Sequence, residues 1–477
     1  MITRRDFIKT AGVGAASVAL GGISSPLFAA DAPASIAAKV KKGEKVKVAF
    51  VGIGNRGEQV EGEMSKTGLM EIVALCDVDM GAKHTQKVMA KWPKAKQFKD
   101  FRKMFDEYGD KFEAVICCVP DHAHFPIAMR ALKEGKHIYV EKPMAHTFYE
   151  AELLMQAAAA NPQLATQMGN QGHSDANYFQ FKTWVDAGII NGVTRIDAHM
   201  NSDRRWHKWD TNIKKFPDAE PIPETLDWDM WMMNKLHRDF NQKIHYGNWR
   251  CWFDFGMGAL GDWGAHLFDT AHQFLELGLP YQVGLDHCTG HNDFFYPMES
   301  TIRFRFPRRG DMPACDLVWY DGKENKPKLP ANYGASEYDP NIPASGTQTD
   351  FKGSLPPGKV IYGKDITFKG GSHGATLKMI PSEAAAEAQK NLPEVPESTS
   401  NHYANFLLSC MGKEKTRSPF EVAGPLTQTM ALGVIAQRLN TTFKFDRETK
   451  RVVDNPFAQA LLVGPAPAQG WEDYYKL

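Results

Sequence analysis

The stretch Lys45-Val46-Lys47-Val48-Ala49-Phe50-Val51-Gly52-Ile53-Gly54-Asn55-Arg56-Gly57 decides the fold. Its first seven residues form a short β-branched run that reads as a strand. Gln59 to Ser65 beyond it read as helix, so the glycines fall in a strand–turn–helix. In such a turn the first glycine permits the tight bend, the second lets backbone approach a pyrophosphate, and the third allows close helix–strand packing. The helix N-terminus then faces the phosphates. Gly52, Gly54, Asn55, Arg56 and Gly57 are therefore candidate dinucleotide contacts. The next apolar run, Met70 to Cys76, delivers Asp77 at its end, twenty positions after Gly57. A carboxylate at that interval accepts from ribose hydroxyls and repels a 2′-phosphate, which favours NAD over NADP.

Working outward, Glu113 to Val119 and His137 to Val140 read as further strands, with a helix from Phe125 to Glu134 between them. Strands alternating with helices predict a doubly wound parallel sheet, whose ligands bind beyond the carboxyl ends of its strands. The polar punctuation falls at that edge: Pro120, His122 and His124 after one strand, Glu141 and Lys142 after the next. These join the candidate cofactor contacts.

GIGNRG, CDVD, PDHAH and above all the EKPM segment resemble the glucose-fructose oxidoreductase, inositol dehydrogenase and rhizopine catabolism superfamily, Gfo/Idh/MocA. The resemblance implies a Rossmann domain followed by an α/β domain with a large open, mostly antiparallel sheet, and NAD-dependent oxidation of a carbohydrate. It implies that Lys142, in the E-K-P segment, sits beside nicotinamide and substrate. There a lysine can donate to a sugar hydroxyl and take part in its proton transfer. It also implies that Asn170 and Gln171 line the nicotinamide end, where this chain has Asn170-Gln171-Gly172-His173 in place of a basic pair common among relatives. Domains are expected at 45–168 and 169–440, with 441–477 as a C-terminal tail. A homo-oligomer is expected.

Within Trp252 to Asp269, Asp262 and His266 are four apart, hence on one face of a helix. Such a pair passes a proton, the imidazole taking it and the carboxylate orienting the ring. The resemblance implies that role together with Lys142. An aromatic and basic insertion precedes it, including Arg205, Trp206, His207, Trp249 and Arg250; aromatic faces beside charged donors suit sugar rings. With His173, Asp262 and His266 these are the candidate substrate contacts. Residues 321–357 read as long loops, and 401–408 and 426–439 as closing helices.

Thr3-Arg4-Arg5-Asp6-Phe7 and the mild Gly/Ala-rich run that follows resemble a twin-arginine export signal over residues 1–30. This implies a partner in the export machinery, a periplasmic location and a protein folded before export. Over 477 residues, 56 basic side chains balance 56 acidic ones, so no global field draws in nucleic acid or anionic lipid. The length allows about two to three domains. Seven cysteines, odd in number and never spaced Cys-x-x-Cys, indicate neither a disulfide framework nor a metal site.

Three readings follow. The first is an NAD-dependent sugar or glycoside oxidoreductase acting at a carbinol, C3 among the options. The second is a glycosidase that oxidises the sugar transiently, eliminates the aglycone, adds water and reduces again, for which His173 and His207 are candidate second bases. The third is a cofactor-bearing binding protein without turnover.

Overall fold

The computed structural model describes residues 43–201, 207–245, 247–335 and 355–477. The twin-arginine stretch, Arg205 and Trp206 lie outside the described residues.

The first domain is built on β1 (Val46–Val51), β2 (Met70–Cys76), β3 (Lys96–Phe98), β4 (Ala114–Cys117), β5 (His137–Val140) and β6 (Thr166–Met168). All pair in parallel, in the order β3-β2-β1-β4-β5-β6. Near-continuous apolar strands of this kind require helices on both faces, and Val48, Ala49 and Phe50 are fully buried accordingly. The chain reverses its winding between β1 and β4, which opens a crevice beyond their carboxyl ends.

The second domain carries β7 (Arg195–Met200), β8 (Gln282–Thr289), β9 (Glu299–Phe306), β10 (Cys315–Asp321), β11 (Gly358–Tyr362), β12 (Thr367–Gly371), β13 (Leu377–Met379), β14 (Phe443–Asp446) and β15 (Arg451–Val452). They form one sheet ordered β13-β12-β11-β7-β10-β9-β8-β14-β15, antiparallel except where β7 meets β10.

Two boundaries depart from expectation. The segment expected as a tail is part of the fold: β14 extends the large sheet beside β8, and the helix Pro456–Val463 packs on the helix Phe420–Leu439. Its last turn reaches back to the first domain, with Trp471 against Phe101 and Tyr475 against Phe125. The closing helix His402–Cys410 likewise buries Tyr403, Phe406 and Leu407 against Val46, Val48 and Phe50. The apolar surface of the Rossmann sheet thus recruits chain from beyond residue 400.

The Tyr475 hydroxyl donates to Glu150 Oε1 at 2.7 Å and accepts from Asn234 Nδ2 at 2.7 Å, all three side chains being buried. Tyr475→Phe strips both groups of a partner, so chemical denaturation should show a loss of about 1–3 kcal/mol; an unchanged midpoint would contradict this role. Burial also pushes the imidazoles of His122 and His402 down to about 3, and those of His199 and His272 to about 4. Below the unfolded value of about 6.5 the unfolded chain takes up protons that the native protein refuses. This contribution is complete above about pH 6.5 and is lost as pH falls toward 4, so the denaturation midpoint at pH 5 should lie well below that at pH 7.5.

Candidate active site

The crevice is a cavity of about 460 Å³ that runs from Asp77 and Asp79 after β2, His84 in the helix that follows and Lys99 after β3, to Lys142 after β5. Its floor is the glycine turn. Gly52 has φ +80°, and a Cβ there would stand 2.5 Å from the Cys118 carbonyl oxygen; one on Gly57 would stand 2.0 Å from that of Gly52. Only glycine permits this close approach of backbone to the phosphates of a dinucleotide. The Ile53 N–H donates to Asp77 Oδ2 at 2.9 Å and the Asp79 N–H to Oδ1 at 3.0 Å, which fixes the carboxylate at the cavity wall. Burial raises the Asp77 pKa, and these backbone donors oppose the rise. Gly54, Asn55, Arg56, Pro120 and Glu141 line the same space. Arg56 Nη2 pairs with Glu141 at 2.9 Å and also donates to Gln171 Oε1 at 3.1 Å. Asn170 is buried with both polar side-chain atoms unpartnered. These features fit NAD: a glycine cradle for the pyrophosphate, Asp77 for a ribose, and amide groups at the far end.

His122 and His124 do not face this space. They lie in the first turn of the helix Asp121–Lys133 rather than in a loop. His122 Nε2 lies 2.8 Å from the Trp231 carbonyl, while His124 spans the carbonyls of Pro143 and Val119 at 2.7 and 2.9 Å. Both tie backbone together, which corrects their expected role at the cofactor.

At the other end, Lys142 Nζ donates to Asp262 Oδ1 at 2.7 Å and to the Asp262 carbonyl at 2.8 Å. Arg250 Nε approaches the same carboxylate at 3.4 Å, and its guanidinium lies over the Trp249 ring at 4.1 Å. Trp249 and Arg250 line the cavity beside Lys142. Asp262, in the π-helical turn Leu260–Gly264, hydrogen-bonds Lys142, and it acts on His266 through its charge, which opposes the lowering of the imidazole pKa. His266 keeps an Nδ1 without a hydrogen bond, and burial, then Lys142, then the neighbouring His373 hold its pKa well below the usual imidazole value.

His373 is the residue that reading the sequence missed. It sits in the loop between β12 and β13 and stacks on His266, ring centroids 4.1 Å apart and planes 20° apart. Its only signal is glycine on either side, in Gly370-Gly371-Ser372-His373-Gly374.

The two candidate second bases are elsewhere. His173 is fully buried, with Nε2 at 2.6 Å from Gln273 Oε1 and Nδ1 at 3.4 Å from Asp269. His207 stacks on Trp209 and meets Phe295 edge-on, inside the aromatic cluster of the insertion. Trp228 and Trp231 belong to that cluster too, stacked at 4.6 Å, so much of the expected sugar-binding aromatic surface is core.

The family described as "Oxidoreductase family, NAD-binding Rossmann fold" matches residues 46–168, and its "C-terminal alpha/beta domain" matches residues 175–308. A twin-arginine translocation signal matches residues 1–21, which marks the chain for export across a membrane. Inositol 2-dehydrogenase from Salmonella typhimurium is 27% identical over 200 residues, covering 40% of this chain and 56% of that protein. Alpha-N-acetylgalactosaminidase from Shewanella oneidensis is 27% identical over 229 residues, covering 45% of this chain and 49% of that protein. The chain thus spans about half the length of the curated relatives it matches. Among solved structures, the WlbA dehydrogenase from Bordetella pertussis in complex with NADH and UDP-GlcNAcA shares the fold at 13% identity and a TM-score of 0.55, covering 84% of this chain and 99% of that one. With both of its domains matched and the cradle for its cofactor in place, the chain belongs to the Gfo/Idh/MocA family of NAD-binding oxidoreductases.

Proposed function

We propose that the protein is an exported NAD-dependent oxidoreductase of sugars or glycosides, working in the periplasm. The observation that carries this is Lys142 lining the end of a dinucleotide cleft, with the buried imidazole of His266 close enough for the Lys142 charge to lower its pKa. Bound nicotinamide supplies hydride acceptance from a carbinol carbon. The chain's own groups handle the proton. Lys142 donates to the carbinol oxygen, and the neutral His266 accepts the hydroxyl proton. Asp262 aims the Lys142 ammonium through their ion pair and lends its charge to His266. The Trp249 ring and Arg250 offer an apolar face and a donor to a pyranose.

The second domain also contributes to the cofactor cleft. Met230, Trp231, His245 and Trp249 line it, Trp231 and Trp249 as members of a packed aromatic cluster and His245 edge-on to Trp231. A dinucleotide held between these residues and the glycine turn stays with the protein between turnovers. Free NAD is scarce outside the cytoplasm, and a retained cofactor must be reoxidised by a second sugar or within the same turnover. The latter is the glycosidase reading. It is favoured by a second imidazole beside His266 and agrees with the likeness to an alpha-N-acetylgalactosaminidase. A binding protein without turnover has no use for Lys142 and His266 together.

NAD released by denaturing the purified protein should approach one per chain after gel filtration, and Asp77→Ala should lower that occupancy several-fold; wild type emerging empty would contradict retention of the cofactor. Mixed with a panel of simple glycosides, wild type should show nicotinamide reduction by absorbance. Lys142→Ala and His266→Ala should each slow it about 100-fold or more while keeping their NAD. Unchanged rates would remove both residues from the reaction.

A further inference from the structure

We infer that His373 is the base that removes the proton from the carbon next to the oxidised carbinol, so that the site cleaves glycosides by elimination. The inference rests on the glycosidase reading above and names the group it lacked.

The geometry supplies the reasons. His373 and His266 stand side by side at 4.1 Å, a separation of the same order as that between neighbouring substituents on a pyranose. A sugar whose carbinol meets Lys142 and His266 therefore presents its adjacent C–H toward the second ring. His373 Nδ1 is satisfied by the Ser372 hydroxyl at 2.9 Å, and Nε2 has no protein hydrogen bond among the described residues. The ring is half-buried where His266 is almost fully so, which places it on the open side of the pair. Its edge contact with Trp263, centroids 5.3 Å apart, fixes the ring plane.

The loop is also held for the purpose. His373 has φ +56°, a conformation that non-glycine residues seldom adopt and that persists where the surroundings enforce it. A Cβ on Gly172 would stand 2.3 Å from the His373 carbonyl carbon, and one on Gly374 would stand 2.3 Å from the Asp175 carboxylate. The loop is thus seated against the segment that leaves the Rossmann domain at the nicotinamide end. Burial, followed by the Lys142 charge, lowers the His373 pKa, so the ring is neutral and ready to accept a proton at pH 7. Two stacked imidazoles cannot both be charged, so a proton on one leaves the other as the free base.

The step balances. Oxidation of the carbinol to a ketone, its hydroxyl proton passing through His266 to solvent, acidifies the neighbouring C–H; His373 Nε2 then takes that proton, and the bonding pair becomes a carbon–carbon double bond to the anomeric carbon. The anomeric C–O bond breaks with its pair on the aglycone oxygen, which takes a proton from solvent. Water adds across the double bond, its hydroxyl going to the anomeric carbon and the proton on His373 returning to the adjacent carbon; hydride returns from the nicotinamide to the ketone carbon and a proton from solvent, through His266, to its oxygen, so no outside oxidant is consumed.

The test uses the holoenzyme in D2O with 4-nitrophenyl hexosides and N-acetylhexosaminides, and with the corresponding 3-keto glycosides. Three signals are read: nicotinamide absorbance, deuterium entering at C2, and nitrophenol release. For His373→Gln we expect C2 exchange and nitrophenol release from keto glycosides to fall at least about 100-fold. Nicotinamide reduction by the parent glycosides should fall less than about 10-fold, a split that a merely structural role does not produce. His266→Gln should show the opposite order. His373→Gln exchanging C2 at the wild-type rate, or losing all three signals equally, would overturn the inference. Wild type that reduces its nicotinamide yet neither exchanges C2 nor releases nitrophenol from any keto glycoside would overturn the glycosidase reading itself.

Discussion

One buried ion pair joins the two halves of the site. Lys142 comes from the end of β5 in the Rossmann domain and Asp262 from the π-helical turn of the second domain, and they meet at 2.7 Å with the carboxylate only 5% exposed. Neither charge can be left alone at that depth, since removing one partner of a buried pair costs about 3–5 kcal/mol. The pair therefore sets the register between the domains as well as the position of the ammonium. Arg250, which shares the carboxylate, extends the constraint to the insertion.

From that anchor the rest of the site follows. Asp262 hydrogen-bonds Lys142 and acts on the His266 ring of the next turn through its charge, while that ring stacks on His373. The tryptophans Trp228, Trp231, Trp249 and Trp252 of the insertion pack into one aromatic cluster, of which Trp231 and Trp249 also line the cleft, with Arg250 beside the Lys142–Asp262 pair.

The parts legible in the sequence were those governed by local backbone geometry. The glycine turn, Asp77 at the end of β2 and Lys142 after β5 are each fixed by a strand and the turn that ends it, so spacing alone places them. The parts that were not legible depend on tertiary packing. The four-residue spacing brings the Asp262 charge to His266, but the hydrogen bond of that carboxylate to Lys142, 120 residues away, is a tertiary contact that no local pattern shows. His122 and His124 stand at the ligand edge, but their rings turn into the fold to satisfy buried carbonyls. His373 reaches the site across more than a hundred residues from His266, from a loop with no periodicity. The segment after Asn440 shows its purpose only once the aromatic surface it covers is known.

The most direct test of the account is a crystal structure of the holoenzyme with an unreactive thioglycoside in the cleft. The expected complex has the carbinol oxygen within hydrogen-bonding distance of Lys142 Nζ and the His266 ring, with the adjacent C–H facing His373. A sugar seated on the outer face of the large sheet, or with its ring carbons turned away from both histidines, would contradict it.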